Sequence, residues 1–309
     1  MSHLMVISYH YVLDGRDPLW AGLKGVSADR FDEQLDALAV RYRFLDPGEL
    51  AAEPWRDGTP RCLVTFDDGT RDQAETAVPI LQRHGIKAIF FVVTGTLTRG
   101  SHLAAHLLHQ LLARFSPSRI ADAINTEARA REIAARIDLT RPQQYYRYDD
   151  PDTASLKFQL NHALDTHITG QLMRAAFEKL VMPVATFVDQ FYVRPEDAHR
   201  LESQGHYVAA HSARHFNLAT LSKEDMQHDI EDAAADLSSV GLIRGARHFA
   251  IPFGGPGTFN GAVLDTLRAN GFEYIYTGRA SLNEGARDLI DRFGTKQLPP
   301  FVETWPVCH

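Results

Sequence analysis

Arg61-Cys62-Leu63-Val64-Thr65-Phe66-Asp67-Asp68-Gly69 is the stretch that decides the fold. Its first six residues are mostly apolar or β-branched, the composition of a strand buried on both faces. Two carboxylates and a glycine follow at once, so the strand ends in an acidic turn. In parallel α/β folds, ligands gather at the C-terminal ends of strands. A buried strand that stops in Asp67-Asp68 therefore points to a site as well as to an architecture.

The flanking sequence alternates in the same way. Leu4 to Ser8 is a short apolar run that predicts a first strand. Ser27 is a candidate N-cap for a helix whose stripe is Phe31, Leu35, Leu38 and Ala39. Gln73 to His84 predicts a helix stopped by Gly85, and Lys87 to Val93 a third strand. Strand and helix in turn are the signature of a parallel α/β fold. The alternation halts between about residues 98 and 182. There Leu103, Leu107, Leu108, Leu111 and Leu112 recur at helical spacing, and further helices are predicted over 118–137 and 154–180. The expectation is one catalytic domain over 1–309, with 98–182 as a helical insertion that forms a lid, a wall of the pocket or a dimer interface. The pattern is expected to resume with a strand at Ala185 to Asp189 and a helix from Pro195 to Gln204. A strand at Tyr207 to Ala210 then ends in His211, and a helix covers 223–240. A strand at His248 to Ile251 ends in Pro252-Phe253-Gly254-Gly255, and helix 260–269 and strand 274–276 finish the regular part.

The bulk composition narrows the function classes. The 309 residues carry a net charge of −7, with 44% hydrophobic and 23% charged residues. This is the balance of a folded globular protein. Clustered basic charge, which nucleic acid and anionic membranes require, is not its character, so neither is an expected partner. Only Cys62 and Cys308 occur, too few for a disulfide framework. The opening residues Met1 to Ile7 have no basic segment followed by a long apolar one, and no run is long enough to span a bilayer. The expectation is a cytoplasmic protein without a membrane span, either monomeric or a homo-oligomer.

Three strand ends carry the chemistry: Asp67-Asp68, then His211-x-x-x-His215, then Pro252-Phe253-Gly254. Two imidazoles and one carboxylate make a three-ligand set that leaves positions for water and substrate. A second carboxylate beside them is placed to take a proton from that water. Each piece alone is weak, since paired aspartates often cap helices and HxxxH recurs on any helical face. Their conjunction at strand ends is more specific.

Thr65-Phe66-Asp67-Asp68-Gly69 resembles the first motif of the NodB-homology polysaccharide deacetylases, carbohydrate esterase family 4, and His211-Ser212-Ala213-Arg214-His215 resembles the second. The resemblance runs over about 4–97 and 183–295, leaving the insertion outside. It implies a distorted, incomplete (β/α) barrel that removes N-acetyl, or less often O-acetyl, groups. It implies Asp67 as catalytic base, and Asp68, His211 and His215 as ligands of one divalent metal. That metal is usually zinc, with cobalt, manganese or nickel as substitutes. Ser212 and Thr70 would orient those groups. Pro252, Phe253 and Gly254 match the third motif, with a backbone N–H near Phe253 facing the oxyanion. The arginine of that motif, which pairs with the base, is replaced by Ala250. Arg292 either supplies the charge from another strand or is a surface residue. The late Leu-x-His acid motif is also missing. Ser8-Tyr9-His10-Tyr11 instead resembles the Tyr-His element of a circularly permuted branch, which includes exopolysaccharide poly-N-acetylglucosamine deacetylases. That makes His10 the general acid, against the plainer reading of a hydrogen-bonded strand-end histidine.

Other features are weaker. His102, His106 and His109 share a helical face beside the leucine stripe, better read as a polar helix edge than as a metal site. Gly254-Gly255-Pro256-Gly257 lacks the lysine of a phosphate loop. Tyr145, Tyr146 and Tyr148 either stack on a sugar ring or pack the insertion. The expected activity is removal of an N-acetyl group from an amino sugar. The alternatives are a deformylase or hydrolase of a non-sugar amide, and a glycan-binding protein with a dead site.

Overall fold

The computed structural model describes residues 3–52, 58–140, 149–164, 166–284 and 289–295. Its strands are β1 (Leu4–Tyr9), β2 (Val12–Leu13), β3 (Val26–Ser27), β4 (Arg43–Phe44), β5 (Arg61–Phe66) and β6 (Ala88–Val92). Then come β7 (Tyr207–Ala210), β8 (His248–Ala250), β9 (Tyr274–Thr277), β10 (Ile290–Asp291) and β11 (Phe293–Gly294). Its helices are α1 (Ala28–Ala39), α2 (Val78–Arg83), α3 (Thr94–Thr98), α4 (Ala104–Arg114), α5 (Pro117–Ala130) and α6 (Pro151–Phe158). They continue with α7 (Thr166–Leu180), α8 (Val184–Phe191), α9 (Pro195–Ser203), α10 (Lys223–Ser239) and α11 (Gly261–Ala269).

The main sheet runs β10-β9-β8-β7-β6-β5-β1-β11, with β4 beside β5. Every pairing in it is parallel. β10 pairs with β9 and β11 with β1, so the single segment 290–294 joins the two ends of the sheet. The strands thus form a nearly closed barrel with helices around it, and Arg292 sits where the last segment changes partner.

Strand parity sorts the side chains. Val6, Leu63, Ile89, Phe91, Ala209, Ala250 and Tyr276 cluster together as one core. Met5, Ile7, Cys62, Val64, Phe66, Phe90, Val208 and Phe249 pack instead with α1, α2 and α10 through Phe31, Leu35, Leu81 and Ile230. The first set fills the barrel and the second lies under the helices. Continuing the inward series past each strand end gives Asp67 after Leu63 and Thr65, His211 after Ala209, and Arg292 after Ile290. Parity alone therefore delivers these three side chains to one end of the barrel interior.

Two expectations need correction. Ala185 to Asp189 is not a strand; it lies inside α8, and β6 pairs directly with β7. Val184, Phe187 and Phe191 are the buried positions, a helical spacing that the aromatic and β-branched composition of the run obscures. The predicted helix over 154–180 is broken, with a π-helical turn at Gln159–Ala163 between α6 and α7. Strands β10 and β11, which close the ring, were not foreseen, because each is only two residues long.

The chain divides into two compact units. The barrel unit comprises residues 1–17, 24–101 and 191–309, and the second comprises 18–23 and 102–190. In the second unit α4 and α5 both pack on α7. Gln110 there donates through Nε2 to the Leu19 carbonyl at 3.0 Å, which ties the short segment 18–23 to the helices. No helix among the described residues is long and apolar enough to cross a membrane. Tyr145, Tyr146, Tyr148, Cys308 and His309 lie outside the described residues.

Candidate active site

Asp67 and Asp68 follow directly on the end of β5. Asp67 keeps the inward parity. Asp68 has φ +74°, a left-handed conformation that re-aims its side chain. Gly69 follows at φ +69°, where a Cβ would come within 2.7 Å of Val92 Cγ1. Ser212, His215 and Phe253 also have positive φ. Four of the five such non-glycine residues among the described residues thus lie in the three motif loops, and the fifth is Glu132. Strain of this kind persists only where surrounding contacts over-determine it, and it concentrates at functional sites.

The loops bring three donor atoms together. Asp68 Oδ1 lies 3.7 Å from His211 Nε2 and 3.5 Å from His215 Nε2, and the three donor atoms are all within 4.8 Å of one another. Donors about 2.0–2.2 Å from a tetrahedral zinc stand roughly 3.4 Å apart. The present spacing therefore fits a shared ion with little movement. His211 Nδ1 is 2.8 Å from the Ala250 carbonyl oxygen, so that nitrogen carries the proton and donates. Nε2, facing Asp68, is left with its lone pair for a cation. Ala250, where a side-chain arginine was expected, acts through its backbone. Ser212 accepts the His215 backbone N–H at 2.8 Å and so shapes the loop between the two histidines. Among the described residues no other three His, Cys, Asp or Glu side chains form such a group, so His102, His106 and His109 do not.

Asp67 is buried beside this cluster and bound by Arg292. The guanidinium NH1 donates to Oδ1 at 2.6 Å and NH2 to Oδ2 at 3.0 Å. Ser8 Oγ donates to Oδ2 at 3.0 Å. Burial alone would push the Asp67 carboxyl up. The charges of Arg292, His211 and His10, with the hydrogen bond from Arg292, outweigh it and hold the pKa at about 2. Arg292 is itself buried and fixed, with Nε donating to Thr277 O at 3.2 Å and its guanidinium carbon 5.3 Å from the Phe91 ring centroid. Of the two readings of Arg292, the surface one is excluded.

His10 is exposed at the end of β1, close enough for its charge to act on Asp67. The loop that carries it is clamped by two residues the sequence did not single out. Gln73 Nε2 donates to the carbonyls of His10 at 2.8 Å and Asp67 at 2.6 Å, and Asp72 Oδ2 accepts the Val12 N–H at 2.6 Å. Asp72 is fully buried, which raises its carboxyl to about 7 despite the Thr70 hydroxyl and nearby backbone N–H groups. Of the third motif, Pro252 and Gly254 are buried while Phe253 is 63% exposed, its ring 4.8 Å from that of His215. Asn283 holds the Arg292 segment, donating to Asp291 O at 2.9 Å and accepting the Asp291 N–H at 2.8 Å. Neither Gln73 nor Asn283 belongs to a recognisable motif; each is an amide whose value lies in contacts made far along the chain.

A geometry of this kind can be set beside known proteins. The family model described as polysaccharide deacetylase matches residues 56–134 and 160–275, well over half of the chain. It reaches into 98–134 and 160–182, which the sequence reading left outside the resemblance. The Bacillus subtilis (strain 168) protein YxkH, a polysaccharide deacetylase by name, is 32% identical over 73 residues, 23% of this chain and 26% of that protein. The match thus spans about a quarter of the length of that curated relative. Among solved structures, IcaB from Ammonifex degensii superposes with a TM-score of 0.56 at 19% identity, covering 99% of this chain and 95% of that one. The Streptococcus pyogenes deacetylase PplD, solved in complex with acetate, gives 0.56 at 16% identity, with 94% and 92% covered. A de-N-acetylase from Aggregatibacter actinomycetemcomitans gives 0.58 at 13% identity, with 98% and 99% covered. At these identities the likeness bears on the fold alone.

Proposed function

Because this chain belongs to the polysaccharide deacetylase family, we propose that it hydrolyses the N-acetyl group of an amino sugar in a glycan or glycan intermediate. The observation that carries this reading is one buried carboxylate, Asp67, gripped by Arg292 beside three converged donors, Asp68, His211 and His215. A buried carboxylate held in one orientation beside three converged donors supports hydrolysis over binding alone. A divalent ion held by those donors, zinc by preference with cobalt, manganese or nickel as substitutes, would supply Lewis acidity to water and to the acetyl carbonyl.

The chain's own groups do the rest. Asp67 stands ionised at neutral pH and takes the proton from the attacking water. Arg292 and Ser8 occupy three of its roughly four lone-pair sites, which leaves one on Oδ1 as the acceptor. Arg292 holds the carboxylate in one orientation, so no reorganisation is needed during proton transfer. His10, on the neighbouring strand end, gives a proton to the departing amine. The backbone N–H near Phe253 faces the developing oxyanion, and Pro252 and Gly254 fix that turn.

The test is substrate turnover with purified protein loaded with zinc or cobalt. Acetate is expected from N-acetylglucosamine oligomers. Asp67→Asn should abolish turnover while metal content stays near one ion per chain, whereas Asp68→Ala and His215→Ala should lose both. Formate from N-formyl sugars without acetate from any N-acetyl sugar would favour the deformylase reading. Saturable glycan binding with no product from metal-loaded protein would favour a dead site.

A further inference from the structure

The loop that carries both histidines is held in an unfavourable backbone form. Ser212 has φ +59° and His215 has φ +58°. Left-handed backbone at two non-glycine residues within four positions must be fixed from outside. One side of the loop is fixed by backbone: the Thr94 N–H donates to Ser212 O at 3.0 Å and the Gly95 N–H to Ala213 O at 3.1 Å. The other side is fixed by a single distant carboxylate. Asp229, on α10 and with no exposed surface, accepts the Ala213 N–H on Oδ1 at 3.1 Å and Arg214 Nε on Oδ2 at 3.0 Å. Ala213 is the midpoint between His211 and His215, so a bond to its amide acts on the stretch of backbone that links the two imidazoles.

We propose that Asp229 is a positioning residue for the metal centre, its carboxylate holding the Ala213 amide so that His215 points at Asp68. This rests on the reading of Asp68, His211 and His215 as metal ligands. Burying a carboxylate is unfavourable unless its oxygens are satisfied. Here one bond goes to a backbone amide and the other to an arginine whose side chain is 41% exposed. Arg214 reaches solvent and can be rehydrated if the pair breaks, whereas the Ala213 amide is buried and has the Asp229 carboxylate as its acceptor. Outer partners of this kind orient ligands, and their loss typically weakens metal binding about 10–100-fold.

The experiment measures zinc affinity by competition with a chromophoric chelator, and the visible absorption of the cobalt form. Wild type is compared with Asp229→Ala, Asp229→Glu, Asp229→Asn and Asp68→Ala. Asp229→Ala loses the acceptor and Asp229→Glu pushes it out of place. Both should bind zinc about 10–100-fold more weakly, with an altered cobalt band. Asp229→Asn keeps an oxygen for the Ala213 amide and should restore most of the affinity. If Asp229→Ala does not fold, Asp229→Glu carries the comparison. Wild-type affinity in either variant, or an Asn variant no better than Ala or Glu, overturns the positioning role. Asp68→Ala binding as tightly as wild type, or a wild type that takes up no ion, overturns the metal-centre reading itself and the role of Asp229 with it.

Discussion

Arg292 grips Asp67 by both carboxylate oxygens, NH1 at 2.6 Å from Oδ1 and NH2 at 3.0 Å from Oδ2, with both residues buried. The two lie 225 positions apart in the chain and meet because the segment 290–294 closes the barrel against β1. A buried fork of this kind is specific in geometry as well as charge.

Arg292→Gln should leave a buried carboxylate without its counter-charge. Breaking a buried pair from one side costs about 3–5 kcal/mol, so a large drop in urea midpoint is expected along with loss of turnover. Arg292→Lys keeps the charge but not the fork and should fall between the two. A lysine variant equal to wild type in both measurements would show that orientation of Asp67 does not matter.

Gly254 of the third motif and its neighbour Gly255 should separate sharply. A Cβ on Gly254 would lie 2.3 Å from Gly278 N and 3.0 Å from Thr277 C, at φ +61°. Those are backbone atoms next to the Thr277 carbonyl that receives Arg292 Nε. Gly254→Ala should cost about 2 kcal/mol or more and disturb Arg292. Gly255→Ala meets only Phe253 O at 4.0 Å, with no left-handed backbone, and should stay within about 0.5 kcal/mol of wild type. Thermal melts of the two variants side by side decide the point; equal stabilities would discredit the close approach.

Much of this was legible in sequence, for a physical reason. RCLVTF ending in DD, and YVAA ending in His211, announce themselves because parity and strand-end placement are local. Arg292 was visible only as a candidate. Its role depends on ring closure by two strands of two residues each, which leave no periodic signal. Ala185 to Asp189 misled because a short aromatic and β-branched run fits strand and helix alike, and only burial at Val184, Phe187 and Phe191 separates them. Asp229 was invisible, one acid among many on α10, since its partner is an amide in a loop sixteen residues earlier.

Gln73 spans two carbonyls on different strand ends, those of His10 and Asp67. Gln73→Leu removes both donors with little change in volume. Leaving buried polar groups unsatisfied costs about 1–3 kcal/mol, and the His10 loop should loosen. The expected result is a stability loss of that size with a fall in kcat greater than any rise in KM. A variant with wild-type kcat would show that the His10 loop needs no such staple.

Acid stability follows from two histidines away from the site. His206, with no exposed surface, accepts the Ala88 N–H on Nδ1 at 3.2 Å and must be neutral to do so. Burial and the Lys87 charge lower its pKa to about 4, and burial with Arg247 lowers His248 to about 3. Both folded values lie below the unfolded one near 6.5. Below about pH 6.5 the unfolded chain therefore binds protons that the native chain refuses, and stability falls as pH drops toward 4. Asp72 acts in the opposite sense. Its raised value of about 7 means that the native form takes a proton first, so its contribution grows over the same window as pH falls. Wild type should consequently lose stability as the pH falls, less steeply than the histidines alone would dictate. His206→Asn keeps an oxygen for the Ala88 amide but cannot titrate. Its melting temperature, followed from pH 7 to 4.5 in chelator so that no ion contributes, should fall less steeply than wild type by about one proton, on the order of 3 kcal/mol over the full window. Asp72 and His248 cancel in that difference, so parallel curves for the two proteins would mean that His206 is not held neutral in the fold.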